Sequence, residues 1–230
     1  MVQLDLGRLV GSAHPPFLIA ALDCRELATL DHALAALDAA ADSRYDAIKP
    51  VRMPWAWSPR LFAHADRRAL AVLATALDEA AVARLDWLGA PGFYLVYDWS
   101  DLELVACAAR TGKPIVLQVG TASEGELAEV IETARANGDG GIALVHSALD
   151  AQLEGLDALH RHGAVVGISD RSPGTAIPLA AISRGACIVE KRFRLRADGD
   201  ALCKREVASV VRDCEQAWAR LGDGRRWAYN

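Results

Sequence analysis

The stretch AVVGISDRSPGTAIPLAAISRGACIVEKRF, Ala164–Phe193, decides the fold. AVVGIS (Ala164–Ser169) and CIVEKRF (Cys187–Phe193) are short runs led by Val and Ile, the composition of strands covered on both faces. Between them lies a run of small and aliphatic residues with helical character, closed by Gly185, a residue suited to the turn after a helix. Strand, helix and strand in 30 residues make a parallel βαβ unit.

The same alternation recurs upstream. FLIAAL (Phe17–Leu22), AIKPV (Ala47–Val51), LAVLAT (Leu70–Thr75), FYLVY (Phe93–Tyr97), PIVLQV (Pro114–Val119) and GIALVHS (Gly141–Ser147) are the six earlier strands, and successive strand starts lie 21 to 30 residues apart. The intervening helices carry their own signals. Ser123 and Glu126 form a capping box at the head of one helix, and Gly138 ends it. Ser100 is placed to cap DLELVACAARTG, with Gly112 just past its end. In the last stretch, Lys204–Leu221, Val207, Val210, Val211, Cys214 and Trp218 recur at helical spacing, as an eighth helix packing on a barrel would require. Eight units between about residues 17 and 221 predict an α/β chain forming a single compact (β/α)8 TIM barrel across residues 1–230, with any ligand at the C-terminal ends of the strands. An open doubly wound sheet is the alternative.

Composition narrows the partners. A net charge of −5 with scattered basic residues argues against nucleic acid or an anionic membrane, and leaves a small molecule as the expected ligand. No strand is followed by GxGxxG or GxxxxGK[ST], so no nucleotide cofactor is expected. The five cysteines lack CxxC or Cys/His pairing, which predicts reduced thiols, no zinc site and a cytoplasmic location. No apolar run is long enough to span a bilayer, and the N-terminus lacks the pattern of a secretory signal.

Several segments together resemble the barrel of the N-acetylneuraminate (sialic acid) synthase family. PFLIAALD is similar to its first strand, YDAIKPV to its second, TGKPIVLQVGTAS to its fifth and IALVHS to its sixth. The segment SDRSPGTAIPLAAISRGACIVEKRF resembles the family pattern over its whole length. The resemblance implies an enzyme that condenses phosphoenolpyruvate with an N-acetyl amino sugar, a divalent cation polarising the sugar aldehyde. It further implies that Lys49, Lys113 and Ser169 help to bind phosphoenolpyruvate. The two positions that match the family's metal-binding histidines are Arg171 and Arg192. A guanidinium has no lone pair to donate, so no bound metal is expected. The first-strand glutamate is Ala21, the fifth-strand serine is Gln118, and the fourth-strand lysine and terminal serine fall at Tyr94 and Tyr97. The chain is not expected to carry the family's C-terminal antifreeze-like domain. A homodimer through the outer helices is an open expectation.

Strand periodicity puts Glu190 and Arg192 on one side of the eighth strand, and Ser169 and Arg171 on the matching side of the seventh. If that side is the lumen, the arginines form a cationic pair that can hold a carboxylate, a phosphate or a developing alkoxide. The competing reading is a salt bridge from each to Asp170, Glu190 or Asp198. Lys49 is either an anion binder or a Schiff-base lysine. Lys113 is by spacing a turn residue at the opposite end of its strand, and only the resemblance puts it in a site. His146 is either a general acid or base or a core histidine, and Asp23 either moves protons or caps the next turn. In the substrate-binding set Gln118 and Tyr97 join Lys49, Lys113, Ser169, Arg171 and Arg192, with Glu190 orienting the arginines. The residues thus leave three functions open: a metal-free condensing enzyme, a catalytically degenerate sugar-acid-binding or synthase-supporting protein, and an aldolase acting through Lys49.

Overall fold

The computed structural model describes residues 2–96, 101–120, 122–148, 153–193 and 204–221. Two short strands, β1 (Gln3–Asp5) and β2 (Leu9–Gly11), pair antiparallel ahead of the first expected strand. The eight expected strands follow: β3 (Phe17–Asp23), β4 (Ala47–Val51), β5 (Ala71–Val72), β6 (Phe93–Val96), β7 (Ile115–Val119), β8 (Ile142–Ala148), β9 (Val165–Asp170) and β10 (Ile188–Phe193). The helices are α1 (Leu30–Asp42), α2 (Ser58–Arg67), α3 (Glu79–Trp87), α4 (Leu102–Ala109), α5 (Glu124–Asn137), α6 (Glu154–His160), α7 (Ala176–Ser183) and α8 (Lys204–Leu221).

All eight long-sheet strands run parallel, in the order β5-β4-β3-β10-β9-β8-β7-β6. A bridge between Thr75 and Tyr94 closes the circle, with Ala76 N donating to Tyr94 O at 3.0 Å. The chain is therefore a (β/α)8 barrel, as the sequence pattern predicts. Its third strand is shorter than expected. Leu70 N donates to Ala65 O at 3.0 Å, so Leu70 belongs to the turn that ends α2, and past Val72 the pairing with β6 falls to a single bridge.

Two cores follow from the alternation of side chains. Leu18, Ala20, Ile48, Leu95, Leu117, Leu144, Ile168 and Val189 face the helices, and Phe17, Ile19, Ala47, Tyr94, Val116, Val145 and Ile188 fill the lumen. The β1/β2 hairpin stoppers the N-terminal end, adding Leu4, Leu6 and Val10 to the lumen cluster. It is anchored there by Arg8, which donates to Asp46 at 2.6 and 2.8 Å and lies over the Phe17 ring. With that end plugged, the open mouth is the C-terminal one.

Local signals hold where they can be compared. Ser123 and Glu126 make the reciprocal capping box at α5. Asp101 caps α4 through Leu104 N at 3.0 Å, whereas Ser100, the expected cap, lies outside the described residues. Gly138 ends α5 for reasons of space. Its backbone is extended, and a Cβ there would sit 2.0 Å from the Ala109 carbonyl oxygen. Cys24, Cys107, Cys187 and Cys214 are free thiols, and no helix among the described residues is long and apolar enough to cross a membrane.

Candidate functional site

Above the apolar lumen floor the strands present polar side chains at the positions that continue its alternation. Glu190 accepts hydrogen bonds from Lys49 Nζ at 2.7 Å through both carboxylate oxygens, and from Ser169 Oγ at 2.9 Å. Tyr94 donates its hydroxyl to Gln118 Oε1 at 3.2 Å, and Lys49 Nζ stands 3.8 Å from the centre of the Tyr94 ring. Lys49, Ser169, Glu190 and Tyr94 are all buried. Burial pulls the Lys49 pKa down, against the opposing charge and hydrogen bonds of Glu190, and the Arg171 charge lowers it further. Burial also drives the Tyr94 hydroxyl well above its ordinary value, and the Glu190 charge adds to that. The result is a polar layer of one cation and one anion, internally satisfied. No buried side-chain nitrogen or oxygen among the described residues lacks a partner.

Nearer the mouth the charge changes sign. Arg192, two residues beyond Glu190, donates to Glu26 at 2.5 Å from the 3-10 turn Cys24–Glu26 that follows β3. Asp23 ends β3, accepts from Arg25 N at 3.1 Å and pairs with the Arg25 guanidinium at 2.8 Å and with Arg52 at 3.8 Å. Burial would raise the Asp23 pKa, but the hydrogen bonds from Arg25 and the charges of Arg25 and Arg192 outweigh it and hold the carboxyl below its usual value. Arg171 is exposed and forms no ion pair with another described residue. Four arginines (Arg25, Arg52, Arg171 and Arg192) thus face two carboxylates (Asp23 and Glu26) around the ends of β3, β4, β9 and β10. Among the described residues, this side of the mouth is positive in a protein whose net charge is −5. A mouth of that sign attracts a small anion.

Some residues expected in one site are not brought to it. His146 alternates with Ile142 and Leu144 on the helix-facing side of β8, and its ring lies against α6, where a Cβ on Gly155 would come within 2.7 Å of it. It therefore lies on the opposite side of the sheet from the lumen residues, the side expected of a core histidine. Lys113 precedes β7 at the N-terminal end of the barrel and pairs with Asp86 at 2.6 Å, so the full barrel length separates it from the mouth. Glu190 does not orient the arginines, because Lys49 and Ser169 occupy it. Among the described residues the arginines pair with neither Asp170 nor Glu190, which are taken by Lys191 and Lys49, and Arg192 pairs with Glu26 instead; Asp198, the third expected partner, lies outside the described residues. Asp23 is a capping residue held ionised, which makes it a weak base. Tyr97, with Asp98 and Trp99, lies outside the described residues.

Of two further residues of the site region, Tyr94 stands in the sequence reading only as the match to the family's fourth-strand lysine, and Lys191 went unread. Tyr94 lies at the centre of the lumen, and the alternation of Phe93 with Tyr94 could have placed it there. Lys191 is buried on the far side of β10, where an apolar residue would be expected. The divalent cation implied by the family resemblance does not fit this donor set. Arg171 and Arg192 offer no lone pair, and Glu190 is engaged by Lys49. Among the described residues no group of three or more His, Cys, Asp or Glu is arranged to hold an ion.

A family model described as the NeuB family matches residues 25–226. Over 163 residues the chain is 29% identical to the pseudaminic acid synthase of Helicobacter pylori, a match that covers 67% of this chain and 48% of that protein. It is 25% identical over 232 residues to the spore coat polysaccharide biosynthesis protein SpsE of Bacillus subtilis, covering 82% of this chain and 62% of that one. The crystal structure of SpsE superposes with a TM-score of 0.85 at 25% identity, over 100% of this chain and 75% of the other. The N-acetylneuraminic acid synthetase of Leptospira borgpetersenii, solved with citrate, shares the fold with a TM-score of 0.86 at 23% identity, over 100% and 93% of the two chains. The chain thus spans about half to two thirds of the length of the first two relatives.

Proposed function

The chain belongs to the NeuB family, and on that premise we propose that it condenses phosphoenolpyruvate, or a similar small carboxylated phosphate, with a sugar aldehyde without a bound metal. Such a condensation joins the enol carbon to the aldehyde carbon, consumes one water and releases inorganic phosphate. The names of its relatives, a pseudaminic acid synthase among them, support the reaction class. The observation that carries the reading is Arg171, an exposed guanidinium above a neutral polar layer and without an ion-pair partner among the described residues. With Arg192 beside it on the neighbouring strand, it offers the forked donors that a phosphate or carboxylate accepts. The same donors would stabilise the alkoxide that develops on the aldehyde oxygen, the role a divalent cation otherwise fills. Ser169 and Lys49 form the layer beneath, and Asp23 and Glu26 hold the neighbouring arginines in place.

Phosphate release from phosphoenolpyruvate with a panel of amino-sugar aldehydes, with manganese and after EDTA, tests the reading. Release that survives EDTA and falls in Arg171→Ala is expected. Release that requires the added metal would overturn the metal-free assignment.

A second reading is favoured by one observation. The Lys49–Glu190–Ser169 and Tyr94–Gln118 contacts already satisfy each other, as a barrel that binds a sugar acid without turnover could afford. Phosphoenolpyruvate or sugar-acid binding in calorimetry without phosphate release would select it.

A further inference from the structure

Lys191 is the feature of this barrel that its architecture least requires. It sits on the helix-facing side of β10, its side chain is 10% exposed, and it lies near enough to Cys214 of α8 for its charge to act on that thiol. Replacing a buried ion pair there by apolar residues would be neutral or stabilising in many proteins, so stability alone is a weak explanation for it. Its contacts are more specific. Lys191 Nζ donates to Asp170 Oδ2 and to the Ser172 carbonyl oxygen, both at 2.5 Å. The other Asp170 oxygen accepts from Ser172 N at 2.8 Å. Asp170 is 1% exposed.

The two residues held in this way are the neighbours of Arg171 on either side. The strand ends at Asp170, so in a chain without this clamp the backbone at Arg171 would be the first free residue after β9. Two hydrogen bonds on the Ser172 backbone, one from Lys191 Nζ to its carbonyl oxygen and one from its N–H to Asp170, together with the Lys191–Asp170 ion pair, tie the chain down before it leaves the barrel. Strand alternation then directs Asp170 toward the helices and Arg171 toward the lumen. We propose that the Lys191–Asp170 pair is a positioning device: it fixes the backbone on both sides of Arg171 so that the guanidinium stands over the mouth and meets the anion. This rests on the reading of Arg171 as an anion-binding residue. Lys191 itself touches no substrate, being on the opposite face of the sheet.

The test is a double-mutant cycle read as affinity, by calorimetric titration of the full chain with phosphoenolpyruvate and with inorganic phosphate. Lys191→Met should weaken phosphoenolpyruvate binding by about tenfold, and in an Arg171→Ala background should add almost nothing. A residue that only stabilised the fold would lower the melting temperature without that coupling. Lys191→Met/Asp170→Asn leaves no unpaired buried charge and keeps an acceptor for Ser172 N, so it should stay folded and still show the loss if Lys191→Met alone does not fold. Lys191→Arg, which retains a cation, should recover part of the affinity. Undiminished affinity in the folded double variant, or losses that multiply with that of Arg171→Ala, would overturn the positioning role. If Arg171→Ala itself binds as the parent does, or the parent binds neither probe, the anion site is overturned and the clamp with it. An Arg171 effect without a Lys191 effect removes the clamp alone.

Discussion

Glu190→Gln should be among the most damaging single substitutions in the barrel, and the structure sets its size. The Glu190 side chain is 6% exposed and that of Lys49 5%, so the pair lies in a region with little water to take over lost contacts. Glutamine preserves the shape but removes the charge that faces the ammonium at 2.7 Å. Lys49 then keeps the Tyr94 ring face at 3.8 Å, a contact far weaker than a carboxylate. Breaking a buried pair by neutralising one member costs about 3–5 kcal/mol, because the other charge remains desolvated. Against a total stability of roughly 5–15 kcal/mol this is a large share. For a chain of this size it lowers the melting temperature by about 6–20 °C. Lys49→Met/Glu190→Gln removes both charges, and the double variant should regain most of that loss. The assay is thermal and urea unfolding of the four proteins followed by circular dichroism. A Glu190→Gln cost below about 1 kcal/mol, or single costs that add in the double variant, would refute the argument that the two groups form one buried unit.

Further outcomes follow from the same contacts. Because the folded Lys49 pKa lies below its ordinary value of 10.5, the unfolded chain holds a proton that the folded chain lacks between the two values, so stability should rise with pH across that interval. The unfolding free energy of the parent relative to Lys49→Met should therefore grow as pH is raised toward 10.5, and a difference independent of pH would contradict the lowered value. Lys113→Met should leave anion affinity unchanged and cost less than about 1 kcal/mol, since its exposed pair with Asp86 lies at the far end of the barrel. Reduced phosphoenolpyruvate binding in that variant would return Lys113 to the site. Ser123→Ala should destabilise by about 1 kcal/mol, measured by urea unfolding, through loss of the α5 cap.

What the sequence could and could not reveal divides along physical lines. The barrel was legible because each parallel strand, covered on both faces, must be a continuous apolar run, and the runs recur with helices between. The hairpin was not, because strands of three residues such as Gln3–Asp5 leave no periodicity to detect. The two-residue period also placed Glu190 with Arg192 and Ser169 with Arg171 on one face. The same period applied to Ile142, Leu144 and His146 puts the histidine on the helix side, a step that would have favoured the core reading over the acid–base one. Pairing was beyond reach. Lys49 and Glu190 are 141 residues apart in the chain, and nothing local distinguishes Glu190 as the partner of Lys49 from Glu190 as the partner of an arginine.

That pairing decides where an anion can bind. A lysine, two arginines and a serine suggest from sequence a site with three cations, but the folded barrel neutralises Lys49 with Glu190 and Arg192 with Glu26. Of the three, Arg171 alone has no carboxylate in ion-pair contact among the described residues. The electrostatic attraction of the mouth therefore depends on Arg171 more than on its neighbours, and the arginines cease to be equivalent. Arg171→Ala removes a charge that has no ion-pair partner among the described residues, whereas Arg192→Ala also releases Glu26 and leaves its carboxylate facing the mouth. If the ligand is an anion, both variants lose affinity, and an added Glu26→Gln substitution should restore part of the loss only in the Arg192→Ala background. Equal recovery in both backgrounds would mean that Glu26 acts on the ligand directly, rather than through Arg192.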